Sequence, residues 1–313
     1  MKFLRRYRST GADPLFGDPR RAHHGVAMEG YFWRITDPAT GRVVIALCGA
    51  NKGPKGNWST IGLASWPNGF VRTKALDGSW TAPDGLGVRG GFTTSASTTT
   101  ASAAFAGDDS ELHVDLGGET WEFDGAQVYS EKNWGREGFP ESWWWGQAQG
   151  FAEPGASLAF AGGLVTSGPL RVEVTALVVM LPDGRVIRLG DPVVSPVTTT
   201  TADEEWRLSG RGFGWRIEVE ASAPLDQAFV LPVPLPSEHR NTPGDLEHLV
   251  GDLEVTVSRF GKHVWTGTTS LAALEHGGLD RARAELRRRG LDDTLTHAPP
   301  SMPIDPDNHG SIR

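Results

Sequence analysis

Apolar and polar residues alternate along most of this chain in short runs that stop at glycine, proline or Asx-Gly pairs. Residues 42–47, 120–123, 170–180, 216–220 and 253–260 are rich in β-branched and aromatic side chains and are predicted as strands. Turns are signalled at Asn68-Gly69, Asp77-Gly78, Asp84-Gly85, Asp124-Gly125 and Asp183-Gly184. The Thr/Ser-rich residues 93–102 and 198–201 suit exposed strands better than flexible linkers. One segment has helical spacing: LDRARAELRRR, with Leu279, Ala282 and Leu286 on one face and Gly290 at its end. The pattern predicts an all-β protein of antiparallel sandwich or barrel type with one short C-terminal helix. Length suits two β domains, residues 20–150 and 151–278, followed by the helix and a loose polar tail over 279–313.

Composition removes several classes of function. The net charge is −8, and the basic clusters Arg5, Arg6, Arg8 and Arg281 to Arg289 sit near the chain ends. Nucleic acid is therefore not an expected partner, because it demands a basic stripe. No apolar run approaches the roughly 18–20 residues that span a bilayer, and the basic start MKFLRRYRSTGADP has no apolar stretch behind it. The expected compartment is the cytoplasm. The single Cys48 excludes an internal disulfide and reads as a core thiol. His23-His24 and the scattered His239, His248, His263 and His276 lack zinc spacing, so no metal site is expected. Without a G-x-S-x-G elbow, P-loop or dinucleotide fingerprint, no cofactor is expected either.

Candidate chemistry concentrates in SEKNWGREGFPESWWWGQAQG, residues 130–150. On a strand, Trp143, Trp145, Gln147 and Gln149 share one face, while Trp144, Gly146 and Ala148 share the other. Stacked indoles followed by amides describe a pocket wall; a plain core strand is the rival reading, and the buried amides count against it. The same period puts Tyr129, Glu131 and Asn133 opposite Ser130, Lys132 and Trp134. In EGYFWR it puts Glu29, Tyr31 and Trp33 opposite Phe32 and Arg34. Each carboxylate reads equally as an acid or as a salt-bridged structural residue.

These segments resemble a known family. EGYFWRI at 29–35 is similar to the EGWYFRV signature of tocopherol cyclases. YSEKNWGREGFPESWWWGQAQGF at 129–151 resembles their YSEKNWGxxFPxxWFWVQCNxF block, and GTTSLAALEHGG at 267–278 their SNxAALExGGG segment. The resemblance implies a lipocalin-like pair of antiparallel β domains, related to carotenoid hydratases and lipocalin-like Diels–Alderases. It also implies cofactor-free closure of a prenylated quinol to a chromanol. Gly146, Ala148 and Gln149 depart from the family block, and two of these changes are expected to enlarge or smooth the site.

Such a cyclase protonates an alkene and captures the cation with a phenol oxygen. In that scheme Glu131 or Glu29 is the acid, and Asn133, Gln147 and Gln149 orient the phenol. Lys132 lowers the phenol's pKa, and Tyr31, Trp33, Trp134, Trp143 and Trp145 line the substrate. The expected partner is an apolar small molecule, collected through transient membrane-surface contact without an integral membrane segment. The alternatives are a non-catalytic lipocalin-type carrier of a prenyl lipid and, further off, a sugar-binding sandwich.

Overall fold

A computed structural model describes residues 27–81, 88–90, 101–103, 111–115, 119–135, 138–167 and 170–292. The first strands are β1 (Met28–Asp37), β2 (Arg42–Gly53), β3 (Gly56–Trp66) and β4 (Val71–Asp77). Short pieces follow: β5 (Ser79–Thr81), β6 (Val88–Gly90), β7 (Ala101–Ala103), β8 (Glu111–Asp115) and β9 (Thr120–Asp124). Next come β10 (Gln127–Gly135), β11 (Trp143–Ala148), β12 (Ser157–Ser167), β13 (Leu170–Met180) and β14 (Val186–Leu189). Then β15 (Val197–Ala202), β16 (Glu205–Gly212), β17 (Trp215–Ser222), β18 (Phe229–Leu235) and β19 (Arg240–His248). The last are β20 (Asp252–Arg259), β21 (Lys262–Thr269), β22 (Ala272–Gly277) and the helix α1 (Leu279–Arg289).

Four of the five predicted strand segments fall within β2, β9, β13 and β17, the fifth matches β20 except for Phe260, which lies in the following turn, and the helix has the predicted bounds. Gly290, at φ 69°, terminates it in the left-handed conformation that favours glycine. The fold is all-β and antiparallel, and α1 is the one α-helix among the described residues. Arg5, Arg6 and Arg8, the pair His23-His24, the Asp84-Gly85 turn, most of 93–102 and the tail beyond 292 lie outside the described residues.

Three large sheets stack in layers. The first has the order β10-β1-β2-β3-β4, the second β14-β13-β12-β11-β22-β19-β18, and the third β15-β16-β17-β20-β21. Between the second and third lies the largest core, with Trp144, Phe160, Leu177, Trp206, Ile217 and Val255 among its members. Each such side chain contributes roughly 1.5–3 kcal/mol on burial. Between the first and second sheets, Val43, Ile45 and Ala64 meet Phe229, Leu231 and Leu249. The outer face of the first sheet is covered by Trp121 and Phe123 of β9. Helix α1 lays Ala282 and Leu286 on Val230 and Leu246.

β11 precedes residue 150 in the chain, yet it pairs with β12 on one side and β22 on the other. It therefore stands in the middle of the second sheet, one face to the main core and one to the first sheet. That placement sets up the site.

On the core face, the His276 ring stacks on Trp206 at 4.1 Å, and His248 meets the same indole edge-on at 5.6 Å. Burial pushes His248 down to about 4 and His276 down to about 3. An unfolded histidine titrates near 6.5. Above that pH neither state is protonated and the stabilisation is fully present. Below it the unfolded chain takes up protons that the native rings refuse, so stability falls as pH drops toward 4 and 3. The slope is at most about 1.4 kcal/mol per pH unit for each ring. Other groups titrate in the same window, so the check is a difference. His276→Phe, which keeps an aromatic ring against Trp206, should lose about 2 kcal/mol less than the parent between pH 7 and pH 5 in denaturant unfolding.

Candidate active site between the first and second sheets

β1 and β10 pair with Phe32 opposite Glu131, Gly30 opposite Asn133 and Arg34 opposite Tyr129. The pleat turns all six toward the second sheet. By the same alternation Glu29, Tyr31, Trp33, Lys132 and Trp134 belong to the other face of the first sheet. There Lys132 Nζ lies 2.9 Å from Glu29 Oε2, with both side chains buried, and the Thr81 hydroxyl donates to Glu29 Oε1 at 3.4 Å. The Lys132 ammonium sits 5.2 Å from the Tyr31 ring centroid, and Tyr31 stacks on Trp33. The expectation that Glu29, Lys132, Trp33 and Trp134 join Glu131 in one site does not hold. A strand cannot present adjacent residues to the same side, and Lys132 is committed to Glu29.

β11 obeys its two-residue period. Trp144 points into the main core and donates its indole N–H to Thr175 Oγ1 at 3.0 Å. Trp143 and Trp145 face the first sheet, where Trp145 meets Phe32 edge-on and Trp143 packs against Phe139. Gln147 and Gln149 share that face but do not line the cavity. Gln147 Oε1 accepts from Arg34 at 2.8 Å, Gln147 Nε2 donates to Gln149, and Gln149 Nε2 donates to the Gln127 carbonyl at 2.9 Å. Their amides lock the layers together, which corrects their expected role in orienting a phenol.

Arg34 is fully buried, and it also donates to the carbonyls of Leu249 at 3.0 Å and Leu271 at 2.5 Å. Burial lowers its pKa to about 10, so the guanidinium remains charged at neutral pH.

Beside this clamp the layers part around a cavity of about 110 Å³ that opens to solvent. Glu131, Asn133, Trp143 and Trp145 line it, as expected from sequence, and Tyr31 borders it although its ring packs on the other face with Trp33 and Lys132. Also lining it are Phe32, Phe139 and three carboxyl groups that sequence reasoning missed: Asp245, Glu247 and Glu275. A carboxylate oxygen from each lies within 4.8 Å of the others. Glu247 on β19 and Glu275 on β22 are direct cross-strand partners, a pairing that two ionised groups would oppose.

The surroundings shift the cluster toward its protonated form. Burial first, then the neighbouring carboxylates, raises Asp245 and Glu247 well above the ordinary range. Glu275 is raised to about 7 by burial and the Glu131 charge, against opposing hydrogen bonds from Trp143, Asp245 and Glu247. The Trp143 indole N–H donates to Glu275 Oε1. Asp245 Oδ1 and Glu247 Oε1, both buried, receive no hydrogen bond. The oxygen spacing would also suit a divalent cation, while the upward shifts of Asp245 and Glu247 favour protons held among the three carboxyls.

Glu131 is built differently. Its Oε2 accepts from the Tyr129 hydroxyl and the Trp145 indole, each at 2.7 Å. Burial raises Tyr129 well above its usual pKa, with the Glu131 charge adding to the effect, so the phenol stays a donor. The cavity thus has an acidic wall on β19 and β22 and an accepting carboxylate on β10, with indoles between.

Sequence comparison agrees with the geometry. The pattern of the tocopherol cyclase-like family matches residues 102–278, more than half of the 313 residues. The chain belongs to the tocopherol cyclase-like family. The probable chloroplastic tocopherol cyclase of Oryza sativa subsp. japonica is 31% identical over 183 residues, 55% of this chain and 38% of the rice protein. The chloroplastic tocopherol cyclase of Zea mays is 31% identical over 184 residues, 53% of this chain and 36% of that protein. The chain thus matches well under half the length of either plant protein. The crystal structure of CghA with Sch210972 shares the fold, with TM-score 0.54 and 12% identity over 81% of this chain and 89% of that one. The lipocalin-like fold class stands.

This tocopherol cyclase-like chain departs from its family block at Gly146 and Ala148, but neither change enlarges the site. Both lie on the core face, where the Phe160 ring fills the space a Cβ at 146 would need. Gly277 matters more. It pairs opposite Trp143, and a Cβ there would overlap the indole. The missed acids did leave a signal: Asp245 and Glu247 alternate with Leu246 and His248, and Glu275 lies inside the third matched segment.

Replacing Arg34 with Met should destabilise the protein by at least about 3 kcal/mol in denaturant unfolding, because it strands Gln147, two carbonyls and Glu247. Arg34→Lys should rescue little of this, since one ammonium cannot reproduce the planar fork. Unfolding midpoints close to the parent's would contradict the clamp.

Proposed function

We propose that this protein is a cofactor-independent cyclase, an isomerase that closes a ring in a prenylated quinol or a similar apolar polyene. The observation that carries the reading is the buried Asp245–Glu247–Glu275 cluster, with Asp245 and Glu247 raised well above the ordinary carboxylate range, opening onto a cavity walled by Trp143 and Trp145. Alkene protonation needs a carboxylic acid that is still protonated at neutral pH, and burial among carboxyls supplies one. In the proposal Asp245 or Glu247 is the donor, in place of Glu131 or Glu29.

The proton adds to the less substituted alkene carbon and leaves a tertiary cation. Indole faces stabilise that cation by roughly 0.5–2 kcal/mol each. The phenol oxygen attacks it, a C–O bond forms, and the phenol proton passes to Glu131, held by Tyr129 and Trp145 as an acceptor. One proton leaves the cluster and one arrives at Glu131, so product and substrate are isomers. The two sites re-equilibrate between turnovers.

Purified protein should convert a prenylated hydroquinone to its chromanol, followed by chromatography. Asp245→Asn and Glu247→Gln, which keep size and polarity, should lower kcat by about 10²-fold or more while quinol binding, read by indole quenching, survives. Tight binding of several prenyl quinols by the parent with no turnover of any would sink the reading in favour of a carrier.

Turnover should also fall as pH rises through about 7. Ionised Glu275 then holds the Asp245 and Glu247 protons by hydrogen bonding and makes both weaker donors. Glu275→Gln should abolish this alkaline limb.

A further inference from the structure

Two neighbouring hairpins of the third sheet turn in an unusual way. In two-residue turns with both φ angles positive, Asn-Gly or Asp-Gly is the common solution. The β16–β17 and β20–β21 turns use Phe-Gly instead: Phe213 and Gly214 at φ 53° and 79°, Phe260 and Gly261 at 49° and 76°. A bulky side chain in the left-handed region is strained. Both phenyl groups also project into solvent, 64% and 76% exposed. Neither backbone preference nor solvation explains the choice, and it is made twice.

The two tips touch. The Phe260 N–H donates to the Gly214 carbonyl at 2.7 Å, and its ring lies over Gly214. Gly212, at the base of the first tip, abuts Val194 and Ser195. There Val193 and Val194 are 79% and 55% exposed. Four large apolar side chains thus project from one end of the molecule.

Cations surround them. Arg259 lies 4.9 Å from the Trp215 ring centroid and 5.5 Å from that of Phe260, with Arg185 5.7 Å from Trp215. Arg211 and Lys262 flank the turns and are exposed. The nearby carboxylates are engaged: Asp183 with Arg185, Glu218 with Arg216, and Asp191 with the amides of Val193 and Val194. A locally cationic rim on a chain of net charge −8 marks this end as distinct.

We propose that the paired Phe-Gly tips are a docking surface for an anionic lipid bilayer. Phe213 and Phe260 enter the boundary between headgroups and acyl chains, and Arg211, Arg259 and Lys262 rest on lipid phosphates. None of these tip residues lines the cavity, and the surface's role stands whether or not the cyclase reading holds.

The test is co-sedimentation with vesicles of phosphatidylcholine alone and of equal parts phosphatidylcholine and phosphatidylserine. The parent should pellet with the mixed vesicles, less so as salt rises, and stay in solution with phosphatidylcholine alone. The double variant Phe213→Asn, Phe260→Asn puts residues that tolerate positive φ at both tips, so it should fold and unfold as the parent does. It should lose at least about tenfold in vesicle partitioning. Arg259→Gln with Lys262→Gln should erase the preference for the anionic lipid. A parent that ignores both vesicles, or a folded Asn variant that pellets as the parent does, overturns the proposal. So does self-association that the Asn variant abolishes without any vesicle binding, which would assign the tips to a second copy of the chain.

Discussion

One buried cation holds the first sheet to the second. Arg34 reaches from β1 across the layer boundary to Gln147 of β11 and to the carbonyls of Leu249 and Leu271. A guanidinium with no access to water must find its solvation in the protein, so three separate segments are brought to it at fixed distances. Gln147 in turn fixes Gln149, and Gln149 fixes the start of β10 through Gln127. The positions of Glu131 and Trp145 follow from that chain. The clamp sits two residues along β1 and β11 from Phe32 and Trp145, which line the cavity.

The electrostatics of the cavity wall work against the fold. Glu247 and Glu275 face each other across a strand pair and Asp245 lies close by, an arrangement that proton sharing makes tolerable. Arg34 is too committed to hydrogen bonds to neutralise three carboxyl groups, although its charge does favour ionised Glu247. A fold selected for stability alone would place apolar residues there. The retention of three acids beside two indoles is therefore the strongest physical sign of chemistry in the molecule.

Much of this was legible in the sequence, because the two-residue period is a hard constraint. Turn chemistry located the strands, and Leu279, Ala282 and Leu286 located the helix. Alternation within SWWWGQAQ separated Trp144 from Trp143 and Trp145. Alternation could not say which face of β1 meets which face of β11, since that depends on register and layer order. That is why sequence leaves Glu29 eligible beside Glu131, whereas Lys132 already falls on the opposite face by alternation. Gln147 and Gln149 were placed on the right face with the wrong task, because Arg34 is distant in sequence. Asp245 and Glu247 carried the alternation of a buried acidic face, but only their juxtaposition with Glu275 shows why it is acidic.

The central position of β11 also governs how the molecule is made. Its neighbours are β12, which follows at once, and β22, which supplies Glu275 132 positions after Trp143. As the chain emerges during synthesis, the indole strand appears early and has one open edge until β22 arrives to fill it. Such long-range pairing is slow, and an unfilled apolar edge is sticky, so this family member has a long window in which a chaperone could cover it. Insertion of β22 completes the sheet and the acid cluster in the same event. A partly folded chain therefore has neither a closed sheet nor an acid, and reactivity is withheld until the architecture is finished.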